Sequence, residues 1–362
     1  MSCAKQAVST ADFIASGKVF SYFVGLTLFL LLLTNTIGAG IVTAADPLSP
    51  DVYKRTYIAV QHQQGHLTID NSVQDIVIHP AFQDFGDLLL PWEDNTRYYA
   101  TRLRDVGQLM PYHSHINAEV VVNALNRMID AVNAGHTIFY NVYTDGQKQT
   151  DPVKKMTGLF FFRGKPGAPF AIVCPGGGFS YVGSLHEGFP VANEISKSGL
   201  NAFVIRYRIG GRRSGEQPAT EDLVAAINYV FRHAQTLGVS TKGYSLWGGS
   251  AGARMVGNIA LSGLVRYGGN NLPQPGTVVI AYTGQSSYAA QFPPTFITVS
   301  ANDGIASVAT VDKRVQSLKS VGVKVEYRRY QTAGHGFGLG VGTDAEGWIQ
   351  HAIRFWETQL TG

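Results

Sequence analysis

The chain has 362 residues, of which 45% are hydrophobic and 15% are charged. The hydrophobic content excludes a generally disordered chain, because enough apolar surface is present to offset the entropy lost on folding. A formal net charge of +4 over this length does not indicate a nucleic-acid-binding protein, which concentrates Lys and Arg on one face. The two cysteines, Cys3 and Cys174, are too few for a disulfide framework.

The N-terminal region contains a long uncharged window. No residue between Lys18 and Asp46 is charged, and residues 23–33 form a dense apolar run. This run has the length of the hydrophobic region of a signal peptide, and small residues follow it where a peptidase could cut. Residues 19–42 are also long enough to span a bilayer. We therefore expect residues 1–45 to be a signal peptide or a membrane anchor, the alternative being a buried helix of the folded domain.

Both of the first two interpretations predict an exported protein. It would be periplasmic, extracellular, or anchored through the transmembrane window at 19–42 and facing outside. A secreted chain would leave Cys174 as its unpaired cysteine, because Cys3 precedes the apolar run.

Residues 46–135 form a less regular stretch, in which prolines interrupt the chain. Its clearest element is a helix near 116–133, where apolar residues recur on one face at helical spacing. Gly135 supplies the stop that follows many helices. Since the apolar face must be covered, we expect an N-terminal extension docked on a main domain that spans residues 136–362.

From residue 137 onward, apolar runs of strand length alternate with helical patterns. The predicted strands are 137–143, 159–162, 170–174, 202–207, 243–247, 278–282, 296–300 and 323–330, and the predicted helices are 187–198, 219–235, 251–265, 308–320 and 345–359. Such alternation indicates a mostly parallel sheet of about eight strands with helices on both faces, the α/β class.

The strongest chemical signal is the G-x-S-x-G motif Gly248-Gly249-Ser250-Ala251-Gly252. It lies between a predicted strand and a predicted helix. A serine on such a sharp turn has an exposed hydroxyl, and the flanking glycines remove side chains that would collide. The alternative is a tight glycine turn without chemistry, but the flanking elements favour a nucleophile at Ser250.

A serine nucleophile needs a base and an acid that orients the base. In strand–turn–helix hydrolases these follow in the order serine, acid, histidine. Asp303 lies in the loop after the strand 296–300, and His335 lies in a glycine-flanked loop after the strand 323–330. The rival acids Asp312 and Asp344 fall within or at the start of predicted helices, and the rival His351 falls within the last one.

A glycine run, Pro175-Gly176-Gly177-Gly178-Phe179, follows the strand 170–174. Acyl transfer develops negative charge on a carbonyl oxygen, which backbone N–H groups aimed at it stabilise. The run matches neither of the common phosphate-binding patterns. We therefore expect an oxyanion hole formed by the N–H groups of Gly177, Gly178 and Ala251.

Together these motifs resemble the α/β-hydrolase fold. More narrowly, the run from Pro175 through His186-Glu187-Gly188 to Arg208 resembles the acetyl esterase and bifunctional acetylxylan and feruloyl esterase branch related to hormone-sensitive lipase. Pro175 stands where that lipase branch usually has histidine. The resemblance covers about residues 137–360 and leaves the extension without an assigned role.

The resemblance implies a serine carboxylesterase that hydrolyses short-chain or acylated-carbohydrate esters through an acyl-enzyme, and the N-terminal window separately predicts that it is exported. It implies no cofactor and no metal. We expect Phe179 and Tyr181 to border the substrate pocket, Glu187 to brace the glycine loop, and His113 and His115 to lie on the surface.

Two other classes stay open. One is a serine peptidase of the prolyl oligopeptidase type, although the extension is too short for a propeller. The other is a binding protein on an inactive hydrolase scaffold. The sequence says nothing about the oligomeric state.

Overall fold

The computed structural model of the chain describes residues 65–361. The predicted signal peptide or anchor therefore lies outside the described residues. Within 65–361, no helix combines the length and the apolar character needed to cross a bilayer.

One eight-stranded sheet forms the centre of the molecule. Its strands are β1 (Phe139–Tyr140), β2 (Gly158–Phe162), β3 (Pro169–Cys174), β4 (Asn201–Arg206), β5 (Ser240–Gly249), β6 (Thr277–Ala281), β7 (Thr295–Ser300) and β8 (Val325–Tyr330). Their order across the sheet is β1-β2-β4-β3-β5-β6-β7-β8. The first three strands of that order pair antiparallel, and every later pair is parallel. The predicted mostly parallel sheet is thus confirmed.

Nine α-helices accompany the sheet in the described part of the chain. They are α1 (Val73–Val77), α2 (Ala118–Asn133), α3 (Asp145–Thr150), α4 (Phe189–Lys197), α5 (Gly211–Ser214), α6 (Glu216–Leu237), α7 (Ser250–Ser262), α8 (Val308–Ser320) and α9 (Trp348–Leu360).

The sheet is covered on both faces by two separate apolar cores. Alternate side chains of a strand point to opposite faces, so Phe160 and Phe162 of β2 enter one core while Leu159 and Phe161 enter the other. Helices α2, α4 and α9 line the first core, and α6, α7 and α8 line the second. This double coverage explains why the central strands are almost uniformly apolar.

The extension contributes directly to the first core. The N-cap of α2 is Asn117, whose side chain accepts the N–H of Val120, and Gly135 follows the helix with φ +80°. Its buried face, including Leu125 and Ile129, shares that core with Phe160 of the sheet. Residues 65–135 therefore supply part of the covering layer of the sheet.

The observed elements differ from the predicted ones mainly at their ends. The strand predicted over 137–143 is only Phe139–Tyr140, because Val142 and Tyr143 turn into the opposite core. The last helix begins at Trp348 and not at 345.

The parallel strands place four loops at one edge of the sheet. The carboxyl ends of parallel strands meet at the same edge, where open α/β sheets hold their ligands. The segments that follow β3, β5, β7 and β8 carry the glycine run, Ser250 as the first residue of α7, Asp303 and His335 respectively.

Candidate active site

Ser250 stands at the sharp junction between β5 and α7. Its φ is +49°, an uncommon value for a side-chain-bearing residue. A Cβ on Gly248 would lie 2.5 Å from the Gly252 carbonyl carbon, and one on Gly252 would lie 1.9 Å from the Cys174 carbonyl oxygen. Both glycines of the motif are thus required by close backbone contacts, as a strained strand-to-helix turn demands.

The structure brings Ser250, His335 and Asp303 together in one chain of contacts. His335 Nε2 lies 2.9 Å from Ser250 Oγ, and His335 Nδ1 lies 2.8 Å from Asp303 Oδ2. Ser250 is partly exposed, His335 is 8% exposed and the Asp303 side chain is fully buried. The imidazole can therefore accept the hydroxyl proton while the carboxylate accepts its Nδ1–H.

Asp303 is held rigidly by its own loop. Its Oδ1 accepts the N–H groups of Ile305 and Ala306 at 2.8 and 2.7 Å. A carboxylate fixed in this way orients the imidazole with little rotational freedom.

The rival residues lie elsewhere. Asp312 accepts the Tyr327 hydroxyl, and His351 contacts Arg354. Asp344 precedes α9 by four residues and is not at its start; it accepts the N–H of Thr332 and so supports the loop of His335.

The glycine run folds as a tight turn against the serine. Gly177 has φ +127° and Gly178 has φ +64°. A Cβ on Gly177 would lie 2.1 Å from the Tyr181 carbonyl oxygen, so only glycine fits there. Among the described residues, the N–H groups of Gly177, Gly178 and Ala251 have no hydrogen-bond acceptor. They are therefore available to a ligand.

Gly176 differs from its two neighbours, because its N–H donates to Glu187 Oε2. Glu187 is 3% exposed. Burial opposes ionisation of this carboxyl, but the neighbouring His113 and the donated N–H outweigh it and lower its pKa to about 2. The expected bracing of the glycine loop by Glu187 is confirmed.

Phe179 and Tyr181, which we expect to border the substrate pocket, are both buried. Phe179 packs edge-on against Tyr207. The Tyr181 hydroxyl accepts the Tyr112 N–H at 2.9 Å and lies 2.8 Å from His113 Nδ1. Tyr112 is the exposed aromatic residue beside the glycine run. If Gly178 carried a Cβ, that atom would lie 3.1 Å from the Tyr112 ring.

Sequence reasoning missed three residues that support the site. The Tyr207 hydroxyl donates to the Pro175 carbonyl at 2.6 Å, and the Tyr282 ring packs edge-on against the His335 ring. His113, expected on the surface, has a side chain that is 1% exposed and lies 3.1 Å from Glu187. No local pattern marks a histidine that becomes buried only when the extension docks.

No group of three or more His, Cys, Asp or Glu side chains within residues 65–361 is arranged to hold a metal ion. Cys174 is buried and unpaired in this part of the chain.

Comparison with known proteins gives a likeness in structure only. No family model matches the sequence, and no curated protein matches it. The acetyl ester-xyloside bifunctional hydrolase of Caldicellulosiruptor lactoaceticus is 19% identical and superposes with a TM-score of 0.51, over 61% of this chain and 95% of that one. An α/β-hydrolase enzyme from a Medee basin deep-sea metagenome library is 18% identical over 57% and 93%, with a TM-score of 0.49.

Carboxyl esterase 2 of Tuber melanosporum is also similar, with 19% identity over 56% of this chain and 83% of that one and a TM-score of 0.49. The likeness to the Caldicellulosiruptor structure, together with the strand order, shows the fold: the chain has the expected α/β-hydrolase fold.

Proposed function

We propose that this chain is a serine carboxylic ester hydrolase that acts on short-chain acyl or acylated-carbohydrate esters. The observation that carries the proposal is the continuous contact from Ser250 Oγ through the His335 ring to the buried Asp303 carboxylate. Three free backbone N–H groups beside the serine supply the second requirement of acyl transfer, which is stabilisation of an oxyanion.

The reaction proceeds in two steps. Ser250 Oγ attacks the ester carbonyl carbon and its proton passes to His335 Nε2, while Asp303 stabilises the imidazolium. The N–H groups of Gly177, Gly178 and Ala251 donate to the oxyanion. The ester C–O bond then breaks, the alcohol leaves with the proton from His335, and a water activated by His335 hydrolyses the acyl-enzyme.

The choice of ester rests on two kinds of support. The glycine run and the 186–188 motif resemble acetyl and feruloyl esterases, and the Caldicellulosiruptor hydrolase with this fold is named for an acetyl ester and a xyloside. Both favour an acylated carbohydrate over a long-chain lipid ester.

Labelling with a fluorophosphonate probe tests the nucleophile. We expect wild type to label at one serine and Ser250→Ala to stay unlabelled, with Ser320→Ala, an exposed serine on α8, labelling like wild type. A wild type that does not label, or a Ser250→Ala variant that labels equally, would overturn the esterase and favour an inactive scaffold.

A substrate panel then tests the ester class. It comprises aryl esters from acetyl to long acyl chains, acetylated xylan, a feruloyl ester and an aryl amide. We expect the acetyl ester or acetylated xylan to give the highest kcat/KM, whereas a preference for the amide would favour the peptidase.

We further propose that residues 1–45 direct export. The mass of the mature protein tests this: loss of about the first 45 residues supports a cleaved signal, and an intact chain recovered with membranes supports an anchor. An intact chain that stays in the cytoplasm would contradict export.

A further inference from the structure

A short piece of the extension lies between two loops of the candidate site. This bridging segment, residues 110–116, connects the last 3₁₀ helix of the extension (Leu103–Leu109) to α2. It contacts the glycine run on one side and the loop of His335 on the other. Both contacts are made by buried or half-buried groups, although Pro111, Tyr112 and His115 of the segment are exposed.

The contact with the glycine run passes through His113. Its Nε2 lies 3.1 Å from Glu187 Oε1, and the two side chains are 1% and 3% exposed. Neither atom has a hydrogen-bond partner of good geometry among the described residues, so the pair is a close polar contact. The other oxygen of Glu187 accepts the Gly176 N–H. Contacts thus link His113 of the extension through Glu187 to Gly176. Gly176 directly precedes Gly177, whose N–H has no acceptor among the described residues.

The contact with the His335 loop passes through Ser114. The Ser114 hydroxyl lies 2.7 Å from the His335 carbonyl oxygen and 2.9 Å from the Ala333 carbonyl oxygen. The Ser114 N–H also donates to the Gly336 carbonyl. Gly334 and Gly336 have φ of +70° and +63°, so this glycine-rich loop needs external support to hold one conformation.

The bridging segment is itself fixed by Tyr181. The Tyr181 hydroxyl accepts the Tyr112 N–H and contacts His113 Nδ1, and the Tyr112 and Tyr181 rings stack with centroids 5.4 Å apart. Tyr181 is fully buried. Tyr112 and His113 are therefore fixed by contacts with a buried side chain.

We propose that His113 and Ser114 are positioning residues of the ester hydrolase, and that the extension thereby sets the geometry of both the oxyanion loop and the catalytic histidine. The inference rests on the proposed function. The extension then affects the reaction rate in addition to covering the sheet. The reason is that a displacement of about 1 Å at a reacting group lowers the rate on the order of a hundredfold.

The His113 contact is tested with three variants. His113→Asn retains a polar atom near Nδ1 but cannot reach Glu187, whereas His113→Gln can place an N–H close to the position of Nε2. His115→Asn is the matched control, because His115 is exposed and its φ of +53° suits asparagine. Steady-state kcat and KM for an acetyl aryl ester are measured and normalised to the sites titrated with fluorophosphonate.

We expect kcat per titrated site to fall roughly ten- to a hundredfold in His113→Asn with KM within about threefold, since an oxyanion loop acts on the transition state more than on bound substrate. His113→Gln should recover part of the loss, and His115→Asn should behave like wild type. A purely structural role would lower the number of titratable sites and leave kcat per site unchanged.

Ser114→Ala tests the second contact, with Ser320→Ala as its control because Ser320 also donates to a backbone carbonyl but far from the site. We expect roughly a tenfold lower kcat per titrated site in Ser114→Ala only, because a loosened His335 loop misplaces the base. If both His113→Asn and Ser114→Ala keep kcat per site within twofold of an active wild type, the positioning role is wrong and the proposed function stands. A wild type that neither labels nor hydrolyses any ester overturns the proposed function itself.

Discussion

His335 Nδ1 lies 2.8 Å from Asp303 Oδ2, while the other oxygen of Asp303 accepts two backbone N–H groups of its own loop. That second oxygen, Oδ1, also lies 3.0 Å from His335 Nδ1, so Oδ2 makes the shorter contact with the ring and Oδ1 alone accepts the backbone N–H groups. An amide in place of the carboxylate would keep its oxygen on the backbone donors and turn its NH₂ toward His335.

The first prediction concerns that exchange. In Asp303→Asn the amide NH₂ favours the His335 tautomer with hydrogen on Nε2, which cannot accept the Ser250 proton. We expect kcat to fall by about 10³- to 10⁴-fold with little change in KM, measured on an acetyl aryl ester. Asp312→Asn is the control and should retain kcat within about threefold, because Asp312 accepts the Tyr327 hydroxyl away from the site. A similar loss in this control would show that the acid has been misassigned.

The second prediction concerns the glycine run. A Cβ on Gly177 would lie 2.1 Å from the Tyr181 carbonyl oxygen, so Gly177→Ala must displace the loop. We expect at least about a hundredfold loss of kcat/KM, as for loss of an oxyanion donor. Gly167→Ala is the matched control, since Gly167 has φ +76° but open space around it. Equal losses in both variants would mean that backbone strain alone is responsible.

The third prediction concerns the attachment of the extension. Arg206 is 1% exposed and its guanidinium donates to the carbonyls of Leu90, Pro91 and Trp92. Burial lowers the pKa of this guanidinium to about 10. Arg206→Met leaves the three carbonyls without that donor, and we expect the free energy of unfolding to fall by roughly 2–5 kcal/mol.

Urea denaturation followed by fluorescence measures this change. Arg163→Met is the control, because Arg163 donates to the Thr137 carbonyl near the surface, and it should cost less than about 1 kcal/mol. A loss below 1 kcal/mol in Arg206→Met would contradict the view that Arg206 anchors the extension.

The fourth prediction concerns acid sensitivity. His186 is 3% exposed and lies 3.0 Å from the Gly336 carbonyl oxygen. Burial is the main cause that lowers its pKa from 6.5 to about 4, with the nearby His113 adding to it. The unfolded chain therefore binds this proton more tightly, so stability is complete above pH 6.5 and is lost as the pH falls toward 4.

We expect this histidine to account for up to about 3 kcal/mol of the stability lost across that window. Unfolding curves at pH 7, 5.5 and 4.5 for wild type, His186→Gln and the exposed His136→Gln measure it. The pH dependence should become shallower in His186→Gln alone. An unchanged slope in that variant would show that His186 is not held neutral.

Much of the candidate site could be predicted from local patterns. The G-x-S-x-G motif, the acid after β7 and the histidine after β8 each stand directly behind an apolar strand, and parallel strands bring such positions to one edge. The structure indeed joins Ser250, His335 and Asp303 within 3 Å contacts. Strand periodicity could not show where β1 ends. The turn after Tyr140 depends on the burial of Val142 and Tyr143 in the second core, the one lined by α6, α7 and α8.

The sequence by itself thus determined the fold class and the three residues of the candidate triad, since both follow from short-range patterns of apolar residues and glycines. Only the tertiary structure decided how the glycines of residues 65–361 are used, which aromatic ring lies beside the glycine run, and which groups the extension contacts. Tyr112, His113 and Ser114 reach the site from more than 60 residues before Tyr181 and Glu187. Such contacts exist only after burial has brought distant segments together, and no local pattern encodes them.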